Sequence, residues 1–375
     1  MSLARALKDE EPSCRIIYIG LKGDKLEGLA ERYQIFDEVR YVTSGKFRRY
    51  HGESFLAHIV DVRTLALNIR DFFRVIIGIF KARRQLRLVK PDVVFCKGGF
   101  VAVPVGIAAH SKHIPIVTHD SDAIPGLANR IVGRWAAIHA TGMPAELYTY
   151  PKDTIRYTGI PVDERIVPVT RQLQAQFKEE LAVNSSDLVL LVGGAGLGSR
   201  DINDLILKIA PELLVRLTNL HIFHIAGGRH LKAVEDKYAA SLAPGTRGRV
   251  TTLGFTDDFY KYTGAADLII SRAGATTIAE LAAQQKATLL LPAAFLAGGH
   301  QAANAQVLQK NGAAVVLNDD VKPEQLLQEI CALLEDDARR SELAAKLGAQ
   351  AKPQAAQELA KLILSVVPRQ GTADG

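Results

Sequence analysis

The sequence predicts an α/β protein with two doubly wound parallel sheets in two domains. Short runs rich in valine and isoleucine alternate with longer stretches of helical period, the pattern of repeated β-α units around a parallel sheet. The alternation occurs twice, on either side of residues 158–170, TGIPVDERIVPVT, where prolines and mixed charge interrupt both periodicities. The chain has 375 residues, more than the roughly 250 to 300 at which one core stops growing.

In the first half the expected strands are 15–20, 92–97, 114–119 and 136–140. In the second they are 188–192, 221–225, 250–253, 268–271, 288–291 and 314–317. Beyond Lys322 the chain reads as helices, and the closing QGTADG as a frayed tail. The expected division is therefore 1–162, 163–365 and a tail at 366–375.

Apolar residues at 48% and charged residues at 23% exclude a disordered or collagen-like chain. Cys14, Cys96 and Cys331 lie far apart with no C-x-x-C pair, against a disulfide framework or a zinc site, so no metal is expected and a reducing cytosol fits. The start, MSLARALKDEEPS, has no apolar leader core, and no run reaches the roughly 18 to 20 apolar residues of a membrane span. A net charge of +6 suits acidic partners such as phosphates, nucleotides or anionic lipid.

Open α/β sheets bind ligands outside the carboxyl ends of their strands, so strand-end motifs carry the function. The run LVLLVGGAGLGSRDIN at 188–203 is a strand, a glycine turn and a helix start; the turn admits a phosphate, a dinucleotide or plain packing. The run LIISRAGATTIAE at 268–280 repeats the design: Thr276 or Thr277 can cap the helix, the N–H groups of Ala275, Thr276 and Thr277 can hold an anion, and Glu280 can accept from ribose hydroxyls. In AAFLAGGHQAAN at 293–304, His300, Gln301 and Asn304 open a helix; Gln301 and Asn304 share a face and can address sugar hydroxyls or simply cap.

In the first half, DVVFCKGGFVAVP and HDSDAIPGLANR each follow a strand and place Gly98, Gly99, His119, Asp120, Ser121 and Asp122 at a cleft rim. His119 beside carboxylates is the candidate acid–base group, although a lone histidine is often structural. Residues 63–90 hold eight basic residues and one acidic residue around Phe72, Phe73, Ile76, Ile77 and Phe80, too many apolar side chains for one core-facing stripe. Such a helix, with Lys81, Arg83, Arg84 and Arg87 near its end, either lies in an anionic membrane surface or packs fully with a solvated basic end. Aromatics are not interleaved with these bases as a stacking platform requires, so no nucleic acid is expected.

In this order, PDVVFCKGGFVAVP, HDSDAIPGLANR, GFTDDFYKYTGAADLIISRAGATTIAEL and GGHQAANAQVL resemble the MurG-type glycosyltransferases of family 28, from Met1 to about Leu364. The resemblance implies a GT-B architecture, two Rossmann-like doubly wound domains with an interdomain cleft. It implies transfer of GlcNAc from UDP-GlcNAc to undecaprenyl-pyrophosphoryl-MurNAc-pentapeptide in peptidoglycan synthesis, at the cytoplasmic face of the bacterial membrane, with the basic helix on the inner leaflet. The acceptor lobe is N-terminal and takes in Gly98, Gly99 and Phe100. The donor lobe is C-terminal: Gly274, Ala275, Thr276, Thr277 and Glu280 match the donor loop, with Glu280 on the ribose. Phe255 and Thr256 match the uracil segment, and His300 and Gln301 the sugar contacts. The Gly193 and Gly194 turn, with Arg200 and Asn203 after it, matches the second glycine loop. The implied reaction is inverting: a base deprotonates the acceptor hydroxyl and helix N-termini stabilise the departing UDP, with no cofactor.

The chain departs from the pattern in several places, among them the second glycine loop, which has one extra residue and Ala195 where the family often has serine. LARALK at the start matches the helix after the family's first glycine loop, so a first strand, its loop and a candidate base histidine are expected upstream of Met1. Asp122 stands where the pattern has an asparagine, and Asp163 where it has a basic residue. GIPVD is also similar to diacylglycerol glycosyltransferases, which makes such a glycolipid synthase a rival; the absent N-terminal loop admits a non-catalytic UDP-binding membrane scaffold, and the shared fold a UDP-sugar epimerase.

Overall fold

The computed structural model describes residues 1–23, 35–45, 62–193, 198–293, 299–318 and 320–368. The chain forms two units, one of Met1–Asp163 with Pro353–Gly375 and one of Glu164–Lys352. Their border falls inside the proline-bearing segment. The final stretch belongs to the first unit, which corrects the expected second domain of 163–365.

The first unit begins with helix α1 (Ser2–Glu10), then β1 (Ile17–Gly20) and β2 (Glu38–Tyr41), which pair in parallel. Helix α2 (Val62–Val89) leads to β3 (Val94–Cys96), α3 (Ala102–His110), β4 (Ile116–Asp120), α4 (Leu127–Val132), β5 (Ile138–Thr141) and β6 (Ile155–Tyr157). Strands β3 to β6 form a parallel sheet in chain order. Val94, Cys96 and Ile116 meet Ala82 and Leu86 of α2 and Val105 and Ala109 of α3 on one face. Val117 and Ala140 meet Leu359 and Ile363 on the other, where Leu3 and Leu7 of α1 also pack. That contact is why the last helix returns to this unit. Backbone approaches α2 closely: a Cβ on Gly78 would stand 2.0 Å from the Thr43 carbonyl oxygen, and one on Gly45 2.2 Å from that of Asp71.

The second unit runs through α5 (Arg171–Glu180), β7 (Leu188–Gly193), α6 (Arg200–Arg216), β8 (Leu220–Ile225), α7 (Leu231–Ser241), α8 (Pro244–Arg247) and β9 (Val250–Leu253). It continues with α9 (Phe259–Ala265), β10 (Leu268–Ser271), α10 (Ala275–Gln284), β11 (Thr288–Leu290), α11 (His300–Lys310), β12 (Val315–Val316), α12 (Pro323–Glu335) and α13 (Asp337–Gly348); α14 (Ala355–Ser365) then rejoins the first unit. The sheet is parallel, in the order β12-β11-β10-β7-β8-β9. Leu190, Val192, Leu268 and Ile270 face α6 and α12, whereas Val189, Leu191 and Ile269 face α10 and α11. Burial on both faces is why these strands read as unbroken apolar runs.

Candidate active site

From β7 the chain builds outward to β9 on one side and then, from β10, to β12 on the other. The order reverses between β7 and β10, where Gly193 lies beside Ser271. A crevice at the carboxyl ends of two such strands is where open α/β sheets take ligands. Helices α6, α10 and α11 follow the carboxyl ends of β7, β10 and β11, with Ser199, Gly274 and Gly299 as N-caps. Among the described residues none of these three N-caps makes a side-chain cap hydrogen bond, and the N-cap of α10 is Gly274, so neither Thr276 nor Thr277 holds the capping position expected of them. First-turn N–H groups and three positive helix ends therefore face the same edge of the sheet, an arrangement suited to an anion.

Arg272, to which the sequence motifs assign no role, ties this edge together. It directly follows β10 and is 4% exposed. Its Nε and Nη2 donate to Ser199 Oγ at 3.2 and 2.9 Å, Nη1 donates to the Leu291 carbonyl at 2.9 Å, and Nη2 reaches Asp201 Oδ2 at 3.1 Å. One planar guanidinium thus fixes the start of α6 and the exit of β11 against β10. Its signal was an arginine abutting a wholly buried strand, where only a paired charge is tolerated.

Glu280 lies one turn inside α10, half-buried, and Thr276 is exposed at the helix start. Ala275 is buried. His300 and Gln301 open α11, half-buried, and Gln301 Oε1 accepts from the Ala293 N–H at 2.9 Å. Phe255 is 66% exposed beyond β9, and Thr256 Oγ1 accepts from the Asp258 N–H at 3.1 Å. Arg200 begins α6 with an exposed side chain near Asp204. Gly194 and Ala195 lie outside the described residues.

Two donor-site expectations are corrected. Asn304 is fully buried and donates from Nδ2 to the Ala273 carbonyl at 3.0 Å, so it braces the turn before α10 and shares no open face with Gln301. Asn203 is also buried: Nδ2 donates to the Ala226 carbonyl, and Oδ1 accepts from His224 Nε2 at 3.0 Å. An amide oxygen only accepts, so His224 carries its proton on Nε2 and its Nδ1 accepts from Tyr238 Oη at 2.9 Å. This closed chain holds α6 to β8 and α7. Burial pulls His224 down to about 4, keeping it neutral.

The acid–base expectation in the first unit is likewise corrected. His119 is 0% exposed; Nε2 donates to the Gly159 carbonyl at 2.9 Å, and Nδ1 faces Ser121 Oγ at 3.4 Å. Burial pulls it down to about 4, against the bond to Gly159 and together with the charge of Lys97. Asp120 is 4% exposed and accepts from Asn129 Nδ2 at 2.9 Å, the Gly126 N–H at 3.3 Å and Tyr150 Oη at 2.8 Å. Burial raises its carboxyl in spite of these bonds. His119 ties β4 to the turn at Gly159, Asp120 holds the β4–α4 turn in place, and neither faces outward. Asn129 also donates to the His119 carbonyl at 2.8 Å, which fixes its amide orientation. Its Oδ1 is buried without a hydrogen-bond partner among the described residues. Asp122 is half-buried in the same turn, and its carbonyl accepts from Tyr148 Oη.

Gly98 and Gly99 adopt φ of 89° and 77° at the carboxyl end of β3, a turn open to glycine. Phe100 follows, 38% exposed, and its carbonyl accepts from Ser44 Oγ at 2.6 Å. On α2, Asp71, Val75, Gly78, Ala82 and Leu86 face inward. Ile69, Phe72, Phe73, Ile77 and Phe80 are 49 to 69% exposed, with Ile76 half-buried among them. Lys81, Arg83, Arg84 and Arg87 are exposed as well, so α2 carries a second apolar stripe that the described residues of the unit leave uncovered. Among the described residues no helix is long and apolar enough to cross a membrane.

Comparison with known proteins agrees with this geometry. Residues 1–141 match the glycosyltransferase family 28 N-terminal domain and 188–359 the family's C-terminal domain. A curated relative from Symbiobacterium thermophilum, named UDP-N-acetylglucosamine–N-acetylmuramyl-(pentapeptide) pyrophosphoryl-undecaprenol N-acetylglucosamine transferase, is 30% identical over 98% of this chain and 92% of its own. The chain belongs to glycosyltransferase family 28. A Lachnospira eligens relative of the same name is 33% identical over 85% of this chain and 81% of its own. The crystal structure of Acinetobacter baumannii MurG superposes with a TM-score of 0.70 at 25% identity, covering 97% of this chain and 95% of that one. The fold is that of the GT-B glycosyltransferases, and the switch-point crevice of the second unit lies inside the family 28 C-terminal match.

Proposed function

We propose that this family 28 glycosyltransferase moves GlcNAc from UDP-GlcNAc to undecaprenyl-pyrophosphoryl-MurNAc-pentapeptide with inversion. The observation that carries the reading is the meeting of three helix N-termini, whose N-cap residues make no side-chain cap hydrogen bond among the described residues, beside the β7–β10 switch point, braced by Arg272. As the sugar–phosphate bond breaks, negative charge grows on the UDP diphosphate. Preorganised N–H groups placed there favour the transition state over the ground state. Glu280, half-buried one turn into α10, is assigned to the ribose hydroxyls, and Phe255 and Thr256 to the base. Gln301 and His300 at the start of α11 are assigned to the sugar. Asn203, Asn304, His119 and Asp120 hold the framework, and deprotonation of the acceptor hydroxyl falls to another group.

The acceptor is a lipid, and α2 suits its surroundings: exposed phenylalanines enter the headgroup boundary while each exposed Lys or Arg adds about 1 kcal/mol on an anionic leaflet. A peripheral position on the cytoplasmic leaflet follows from this reading. Product analysis with UDP-GlcNAc and UDP-glucose, offered both the polyprenyl acceptor and diacylglycerol, tests it. The reading expects one N-acetylhexosamine added to the polyprenyl acceptor alone. Hexosylated diacylglycerol, or an epimerised UDP-sugar released without lipid, would overturn it.

A further inference from the structure

The first unit contains an apolar slot that the transfer reaction as described leaves unused. Its volume is about 190 Å³, and its walls include Val75 of α2, Val103 of α3, Leu127 and Ile131 of α4, and Gly99 and Phe100 of the β3–α3 turn. Its walls offer almost no polar groups, so the slot favours hydrocarbon over water. An engineered apolar cavity of about 150 Å³ takes a benzene ring, so this one has room for roughly one to two five-carbon units.

Three features fix what kind of hydrocarbon it would be. Gly99 and Phe100 place the slot at the carboxyl end of β3, where the acceptor-side glycine turn lies. Val75 makes the slot continuous with α2, whose Phe72 stands one turn away and is 52% exposed. Arg70 and Arg74, on the same helix and about half exposed, flank that turn with positive charge while pairing with the buried Asp71. A hole for a short hydrocarbon, cations beside it and an apolar face running outward match a long lipid whose first carbons carry an anionic group. We propose that the slot binds the isoprene units next to the diphosphate of the polyprenyl acceptor, which rests on the transfer reading above. The remaining tail then leaves along the exposed face of α2 toward the bilayer. The slot would make the enzyme select for the beginning of the lipid chain, and the bilayer would hold the rest.

The slot is tested by filling it with Val103→Phe or Ile131→Phe, each in the full chain, and measuring transfer to acceptors with a polyprenyl or a methyl group on the diphosphate. Exclusion of even two buried methylene equivalents predicts a KM for the polyprenyl acceptor raised about tenfold. The KM for UDP-GlcNAc, kcat, and the KM for the methyl acceptor stay within about twofold of the parent. Equal shifts for both acceptors, or none for either, would overturn the proposal. So would a parallel loss of co-sedimentation with anionic vesicles, since the slot would then belong to the bilayer contact. A second measurement does not depend on transfer: a photoreactive geranyl diphosphate is expected to label peptides carrying 99–103 or 127–131, with unlabelled geranyl diphosphate competing. Labelling only along the exposed face of α2 would refute the slot. Slot labelling without transfer by the parent enzyme would refute the transfer reading and leave the slot standing.

Discussion

Replacing Arg272 by methionine should loosen the crevice of the second unit from within. The substitution keeps a long apolar stem but removes every guanidinium donor. Ser199 Oγ and the Leu291 carbonyl, in residues 9% and 1% exposed, lose that donor. Each buried acceptor left unpaired costs about 1 to 3 kcal/mol. Asp201 is 54% exposed and returns to water at little cost. Relief of the buried cation's desolvation offsets part of the sum, leaving a net loss of about 2 to 4 kcal/mol. For a unit of this size that corresponds to a Tm lower by roughly 5 to 15 °C. Calorimetry on the full chain with and without UDP reads both consequences, because a ligand that binds only the folded form raises Tm by mass action. The variant should show the lower Tm and a UDP-induced rise well under half that of the parent. Arg272→Lys, a point donor unable to span all these acceptors, should fall between. A methionine variant with parental Tm and a parental response to UDP would refute the bracing role.

Gly198→Ala should also damage the start of α6, since Gly198 has φ of 75° and an added Cβ would stand 2.0 Å from the Ala226 carbonyl oxygen; an unchanged unfolding midpoint would contradict that. His119 and His224 are each held at about 4 in the folded chain and titrate near 6.5 when unfolded, so their contribution is full above pH 6.5 and is lost as pH falls toward 4. Each costs about 1.4 kcal/mol per pH unit within that window, so these two together take roughly 3 to 4 kcal/mol from the stability between pH 7 and pH 5, and His139, which burial also pulls down to about 4, adds to the loss in the same direction; a flat profile in urea unfolding would refute their buried neutral state. Glu280→Ala should weaken UDP binding by about 1 to 3 kcal/mol in titration calorimetry, and parental affinity would remove Glu280 from the ribose site. Reversing Arg83, Arg84 and Arg87 to glutamate should abolish binding to anionic vesicles, whereas co-sedimentation equal to the parent would show that α2 does not dock there.

What the sequence revealed and what it hid follow from where each residue sits. Strands β7, β8 and β10 are readable because both faces are buried, which forces continuous apolar runs. Strands β2 and β6 are not: EVRY and IRY are short, half-buried or edge segments that carry charge, so neither periodicity develops. The apolar face of α14 shows that it packs, but not against which sheet, and only the contacts of Leu359 and Ile363 with Val117 and Ala140 place it in the first unit. Glycine turns running into helices identify the crevice from sequence, because backbone geometry and helix dipoles need no particular side chain. Side-chain roles are harder. His119, Asp120, Asn203 and Asn304 are polar residues at strand or helix ends, and sequence cannot distinguish one that faces a ligand from one that closes a buried network. Arg272 is the opposite case, a charge inside an apolar segment that only its partners explain.

The most direct test of the account is the position of UDP in a crystal structure of the complex. The account places the diphosphate at the N-termini of α6, α10 and α11, within hydrogen-bond reach of their first-turn N–H groups, with the ribose on Glu280. A diphosphate bound beyond β8 and β9, or in the first unit, with the three helix ends empty, would contradict it.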